Sequence, residues 1–119
     1  MKLFGKASKR DNPLEEITKQ IFPNGKSDII SGRNELLEIL DHSISKKNAE
    51  NIFVKSMTIA FLTKEFSVER LQIHLDGYCK GIFSNDELQK FHEYLTARKL
   101  ALFMGRPKVS KDQNGKYSW

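Results

Sequence analysis

The chain has 119 residues, 39% hydrophobic and 29% charged, a composition that fits a soluble globular domain and excludes collagen-like, mucin-like and fully disordered classes. A single cysteine excludes a disulfide framework, and no apolar run approaches the roughly 18 residues of a membrane-spanning helix. The net charge of +5 comes from the ends, since residues 1–11 and 105–119 each carry +3 and residues 12–104 carry −1. We predict a helical domain over 12–105 between two basic, mobile tails at 1–11 and 106–119.

The first two helices are predicted from capping signals and helical periodicity. Asn12 can cap a helix that Pro13 begins without losing a hydrogen bond, and the Pro-Asn-Gly turn at 23–25 ends it. A second helix is expected over 33–42, where leucines recur at helical spacing. The two isoleucines before it, which Ser-Gly separates from that helix, are interpreted as a helical turn.

Three further helices complete the predicted fold. Residues 49–62 carry a broad apolar stripe, which is typical of a helix buried on several sides, so this helix is expected at the centre. Serines follow hydrophobic residues at the predicted starts of helices over 68–79 and 85–104. Ser84 and Glu87 have capping-box spacing, and we expect Glu87→Gln to cost less stability than Ser84→Ala. Because strand signals are poor throughout, the predicted class is all-α: a single compact bundle of about five helices with short connections.

Metal-binding patterns are weak in this sequence. The three histidines are His42, His74 and His92. None of them has companions at the spacing of a zinc site. Residues 76–87 have the spacing of a calcium-binding EF-hand loop, but Tyr78 and Lys80 stand where oxygen ligands are needed. We therefore expect no metal and no cofactor.

Motifs of known enzyme classes are missing as well. The sequence has no phosphate-binding loop, nucleophile elbow or HExxH motif. Cys79 ends a predicted helix, where the negative end of the helix dipole disfavours a reactive thiolate. No catalytic residue is assigned and enzyme is the least supported class, although a site assembled from distant residues stays open.

The hypothesis that the protein binds nucleic acid depends mainly on the basic tails. The helices around Gly81 are spaced like a helix-turn-helix, but the second one begins with Asn-Asp-Glu at 85–87, whose carboxylates oppose docking on phosphates. Lys90, Arg98 and Lys99 lie further along this helix. Phosphate contacts are therefore expected through the tails, and base readout is not.

The most consistent interpretation is a small cytoplasmic adaptor or regulatory module that binds another macromolecule, either a protein partner or a second copy. The cytoplasmic location is expected because no apolar secretion segment follows the basic N-terminus. The alternative is weak, mostly non-specific nucleic-acid association through the tails. The candidate contact residues are Lys9, Arg10, Arg106, Lys108, Lys111, Lys116, Tyr117 and Trp119. Whether the two aromatic residues dock on the helical body is left open.

Overall fold

Five helices form the fold in the computed structural model, which describes residues 13–79, 82–105 and 110–118. They are α1 (Pro13–Ile21), α2 (Lys26–Ile39), α3 (Lys46–Leu62), α4 (Val68–Cys79) and α5 (Asn85–Phe103). After α5, two short strands pair antiparallel as a hairpin, β1 (Ser110–Lys111) and β2 (Tyr117–Ser118). The predicted all-α class with about five helices is confirmed. The small hairpin is an addition that the sequence pattern did not indicate.

Serine side chains begin three of the helices, and for α4 and α5 the capping signals predicted this. The Ser45 hydroxyl accepts a hydrogen bond from the Asn48 N–H at 3.1 Å, ahead of α3. Ser67 does the same for the Arg70 N–H at the start of α4, also at 3.1 Å. These bonds satisfy backbone donors that have no partner within the helix. The start of α4 at Val68 agrees with the prediction, whereas α3 begins at Lys46, three residues before the predicted start.

Helix α2 begins earlier than predicted. It starts at Lys26 and ends at Ile39, so the expected range of 33–42 is wrong at both ends, and the isoleucine turn belongs to the same helix. Gly32, interpreted as a separator, lies inside α2. A Cβ atom at this position would lie 2.0 to 2.3 Å from three ring carbons of Phe53 on α3. Glycine is therefore present because the Phe53 ring packs directly against the α2 backbone.

Helix α3 is the centre of the bundle, as its apolar stripe predicted. It contacts each of the other four helices. Its buried residues are Ala49, Ile52, Phe53, Ser56, Met57 and Ala60. Phe53 is fully buried, and its ring lies 5.8 Å from that of Phe22 and 6.2 Å from that of Tyr94. This aromatic cluster joins the end of α1 to α3 and α5.

Gly32→Ala is expected to destabilise the fold although alanine favours helices. Because the new methyl group would overlap three carbons of the Phe53 ring, repacking should cost about 3 kcal/mol, the upper end of the usual range, which exceeds the roughly 1 kcal/mol gained in helix propensity. Urea denaturation of both proteins measures the difference. The same substitution in a Phe53→Leu background should cost less, and a Gly32→Ala protein as stable as the wild type would contradict the close packing.

Candidate functional site

The candidate contact residues fall into two groups in the structure. Lys9, Arg10, Arg106, Lys108 and Trp119 lie outside the described residues. Lys111 belongs to β1, Lys116 is exposed beside β2, and Tyr117 begins β2 and is half-buried. The hairpin is thus the place where the described candidates come together.

Tyr117 docks the hairpin on the helical body, which answers the question left open above for this residue, while Trp119 lies outside the described residues. Its ring meets the ring of Tyr94 on α5 edge-on, with 5.1 Å between the centroids. Burial raises the pKa of Tyr94 to about 12. Burial also raises the pKa of Tyr117, and the nearby Glu35 carboxylate raises it by a smaller amount. Both hydroxyls are therefore neutral at physiological pH, as their packing against each other requires.

A buried arginine holds Tyr94 in this position. Arg98 is only 1% exposed, and its Nη1 donates to the Tyr94 hydroxyl at 2.9 Å. Its Nη2 donates to the carbonyl of Asp28 at 3.2 Å and lies 3.9 Å from the carboxylate of the same residue. The guanidinium also lies 5.3 Å from the ring centroid of Phe53. One side chain thus connects α2, α3 and α5, and through Tyr94 it supports the hairpin.

Arg98 was counted among basic residues available to phosphate, and its burial corrects that interpretation. A sequence signal for burial was present, because Arg98 follows the buried Tyr94 by four residues and the buried Leu95 by three. On a helix these spacings place it on the apolar face. Its partner Asp28 is 70 positions away in the chain. No local pattern links the two residues.

An open groove runs along the outer face of α5, between the helix and the hairpin, and we call it the α5 groove. Its first part has a volume of about 650 Å³. Four carboxylates line this part, from Glu38, Asp41, Asp86 and Glu93, together with two lysines, Lys90 and Lys116. The second part, of about 340 Å³, continues along α5 past Ala97 to Leu100. The two parts share Gln89, Glu93, Lys116 and Tyr117, so they adjoin along α5, with an acidic part on one side of these residues and an apolar part on the other.

A group of four exposed apolar residues lies at the neighbouring ends of α3 and α5, where the apolar part of the groove reaches Leu100, and we call this group the apolar end surface. It consists of Leu62, Leu100, Phe103 and Met104, which are 57%, 37%, 64% and 61% exposed. The ends of α3 and α5 meet here, because Phe103 stacks on Phe61 at 5.7 Å. The Lys99 ammonium also donates to the Thr63 carbonyl at 2.8 Å. The sequence pattern had assigned Leu62 to the buried stripe of the third helix, so its exposure is a departure from that interpretation.

The acidic end of the groove is fixed by Glu87 at the start of α5. One carboxylate oxygen accepts from the Ser84 N–H at 2.8 Å, and the Ser84 hydroxyl accepts from the Glu87 N–H at 3.2 Å, which completes the predicted capping box. The other oxygen accepts from the Asp41 N–H at 2.6 Å. The hydrogen bond from the Asp41 N–H lowers the pKa of Glu87 most, and the one from the Ser84 N–H lowers it further. This residue therefore ties the chain after α2 to α5.

The histidines occupy separate positions in the bundle. His92 stacks on Phe66 at 4.8 Å, and a ring nitrogen lies 3.1 Å from the Phe66 carbonyl oxygen. His74 is exposed on α4. His42 lies 3.7 Å from the Glu87 carboxylate. Among the described residues, no group of three or more His, Cys, Asp or Glu side chains is placed to hold a metal ion.

Comparisons with known proteins add no relative from which a function could be carried over. The chain matches no protein-family model, and no curated protein or solved structure matches it. None of the helices in the described ranges is long and apolar enough to cross a membrane. The α5 groove and the apolar end surface therefore have to be interpreted from their own geometry.

Glu87→Gln is now expected to cost more stability than Ser84→Ala, which reverses the order expected from the capping box alone. Ser84→Ala removes one cap acceptor and should cost about 1 kcal/mol. The Glu87 carboxylate accepts from two backbone N–H groups, those of Asp41 and Ser84, whereas a glutamine side chain has only one acceptor oxygen. In Glu87→Gln one of these N–H groups would therefore face the amide NH₂, which should cost about 1–3 kcal/mol of stability. Urea denaturation at pH 7 tests the order, and Glu69→Gln in the exposed first turn of α4 is the matched control.

The cost of Glu87→Gln should also depend on pH. Because the pKa of Glu87 is lowered in the fold from the ordinary value of 4.5, its ionised form stabilises the protein above pH 4.5. That stabilisation is lost as the pH falls through the folded-state pKa, where the carboxyl becomes protonated. The stability difference between wild type and variant should shrink below pH 4.5. A difference that stays constant down to acid unfolding would contradict the two backbone bonds.

Proposed function

We propose that the protein is a small cytoplasmic adaptor or regulatory module that binds a segment of another protein through the apolar end surface. The observation that carries this proposal is the grouping of Leu62, Leu100, Phe103 and Met104. Large apolar side chains exposed singly are ordinary, whereas a contiguous exposed cluster is typical of an interaction site. The other exposed large apolar residues among those described, Ile30 and Ile73, lie on α2 and α4.

The chemistry of the apolar end surface also supports protein binding. Phenylalanine and methionine are enriched in the buried centres of protein interfaces, and covering them releases roughly 25 cal/mol for each Å² of apolar surface. The Phe61–Phe103 stack orients Phe103, and the Lys99–Thr63 hydrogen bond joins the ends of α3 and α5. The conformational entropy lost when a partner covers Phe103 is therefore reduced.

Nucleic-acid association is the less supported alternative. Its cations come from the tails, because Arg98 is buried and carboxylates outnumber lysines in the acidic part of the α5 groove. If duplex DNA were the partner, affinity would fall steeply with salt, with a log–log slope of about −0.9 for each phosphate contact. A salt titration of the binding of the full chain to labelled duplex DNA therefore tests this alternative.

Photo-crosslinking from position 103 tests the proposal. A benzophenone amino acid replaces Phe103 in the full chain, and replaces Ile73, which is 71% exposed on α4, as the matched control. In cells that express the protein, position 103 should give a discrete adduct with another protein, which mass spectrometry identifies, and position 73 should not. Adducts of equal yield at both positions, or an adduct with a second copy only, would contradict the proposal.

Affinity measurements with the identified partner then show how much the apolar end surface contributes to binding. Met104→Asp should weaken binding at least about tenfold, as expected for a central anchor, and Ile73→Asp should leave it unchanged. Phe103→Asp should act in the same way, and circular dichroism verifies that each variant is folded. Equal affinities for Met104→Asp and wild type would exclude the apolar end surface as the binding site.

A further inference from the structure

We propose that the bound segment carries basic residues at one end and apolar anchors at the other, with its basic end in the acidic part of the α5 groove. This inference rests on the proposed function, because the apolar end surface supplies the anchor site. It adds the chemical class of the partner and the direction in which it lies.

The first step is the continuity of the surface along α5. Asp86, Glu93 and Leu100 are each seven residues apart, and Met104 follows Leu100 by four, which places them along one face of the helix. The 18 steps from Asp86 to Met104 span about 27 Å at roughly 1.5 Å per residue. The two parts of the groove share Gln89, Glu93 and the hairpin residues Lys116 and Tyr117, so the acidic and the apolar part adjoin along this face. A helical segment of about 18 residues, or an extended one of about 8, would cover it.

The second step is the uncompensated charge at the acidic end. Four exposed carboxylates face two lysines there, and none of the four takes part in a salt bridge among the described residues. The negative C-terminus of α2 adds to this charge, and the positive N-terminus of α5 offsets part of it. A site in which carboxylates outnumber cations favours a cationic ligand and repels a phosphate backbone.

The third step is that contacts within the protein already hold the walls of the acidic part in place. The backbone of Asp41 is held by the Glu87 carboxylate, so this wall of the groove does not have to be ordered when a ligand binds. The hairpin wall is held by the packing of Tyr117 on Tyr94. Lys116 lines both parts of the groove, so the protein already places one ammonium group beside these carboxylates. A lysine or arginine of the partner would occupy the remaining space.

Three synthetic peptides of equal length test the chemistry of the ligand. Each has the same leucine and phenylalanine anchors at one end, and the other end carries lysines, glutamines or glutamates. The affinities are measured by fluorescence anisotropy with the full chain at low salt. The lysine peptide should bind about tenfold more tightly than the glutamine peptide, because its lysines can form two or three exposed ion pairs with the carboxylates of the groove. The glutamate peptide should bind least tightly.

A charge-reversal pair tests the location. The double variant Asp86→Lys, Glu93→Lys should bind the lysine peptide about tenfold more weakly and the glutamate peptide more tightly than the wild type does. The double variant Glu16→Lys, Glu69→Lys changes the net charge equally on exposed positions of α1 and α4, so it controls for the overall field. Equal effects of the two double variants would overturn the assignment of the groove.

The outcomes separate this inference from the proposed function. If all three peptides bind alike and Met104→Asp weakens each of them, the proposed function holds and the basic-end inference is wrong. If Met104→Asp changes no affinity while the charge reversal still matters, the acidic end binds cations and the proposed function is wrong. If the lysine peptide shows no saturable binding up to roughly 1 mM, the inference is overturned.

Discussion

The arrangement of this bundle depends on the buried guanidinium of Arg98. An unpaired charge would be very costly in this position, so the core has to supply hydrogen-bond partners for it. It does so with the Tyr94 hydroxyl and the carbonyl of Asp28, while the carboxylate of Asp28 lies 3.9 Å away. The Phe53 ring covers the guanidinium at 5.3 Å. Because these groups come from α2, α3 and α5, the position of each helix constrains the other two.

The same contacts orient the outer face of α5, on which the proposed function depends. Helix α5 uses one face to bury Tyr94 and Arg98 and the opposite face to present the α5 groove. Tyr94 contacts both the core and the hairpin, because its hydroxyl accepts a hydrogen bond from Arg98 and its ring packs against Tyr117. The groove therefore has two walls set by the core, and an incoming segment would meet a surface that is already formed.

Local signals in the sequence predict most of the helices, and contacts distant in sequence account for what was missed. The serine caps and the Ser84–Glu87 box act within four residues, so their positions are predictable. The early start of α2 was missed because Gly32 normally weakens a helix, and only the packing of Phe53 explains it there. The groove could not be predicted, since it needs the hairpin to dock beside α5. The exposure of Leu62 was missed because the apolar stripe of its helix also fits a buried position.

The stability of an Arg98→Met protein tests most directly whether the buried guanidinium holds the bundle together. Methionine has a similar length and leaves the Asp28 carboxylate buried without its cation, so urea denaturation at pH 7 should show a loss of about 3–5 kcal/mol. Adding Asp28→Asn should recover part of this loss, because the two residues interact. Lys90→Met on the exposed face of α5 is the matched control and should change little. An Arg98→Met protein within about 0.5 kcal/mol of the wild type, the range of an ordinary surface substitution, would contradict the account.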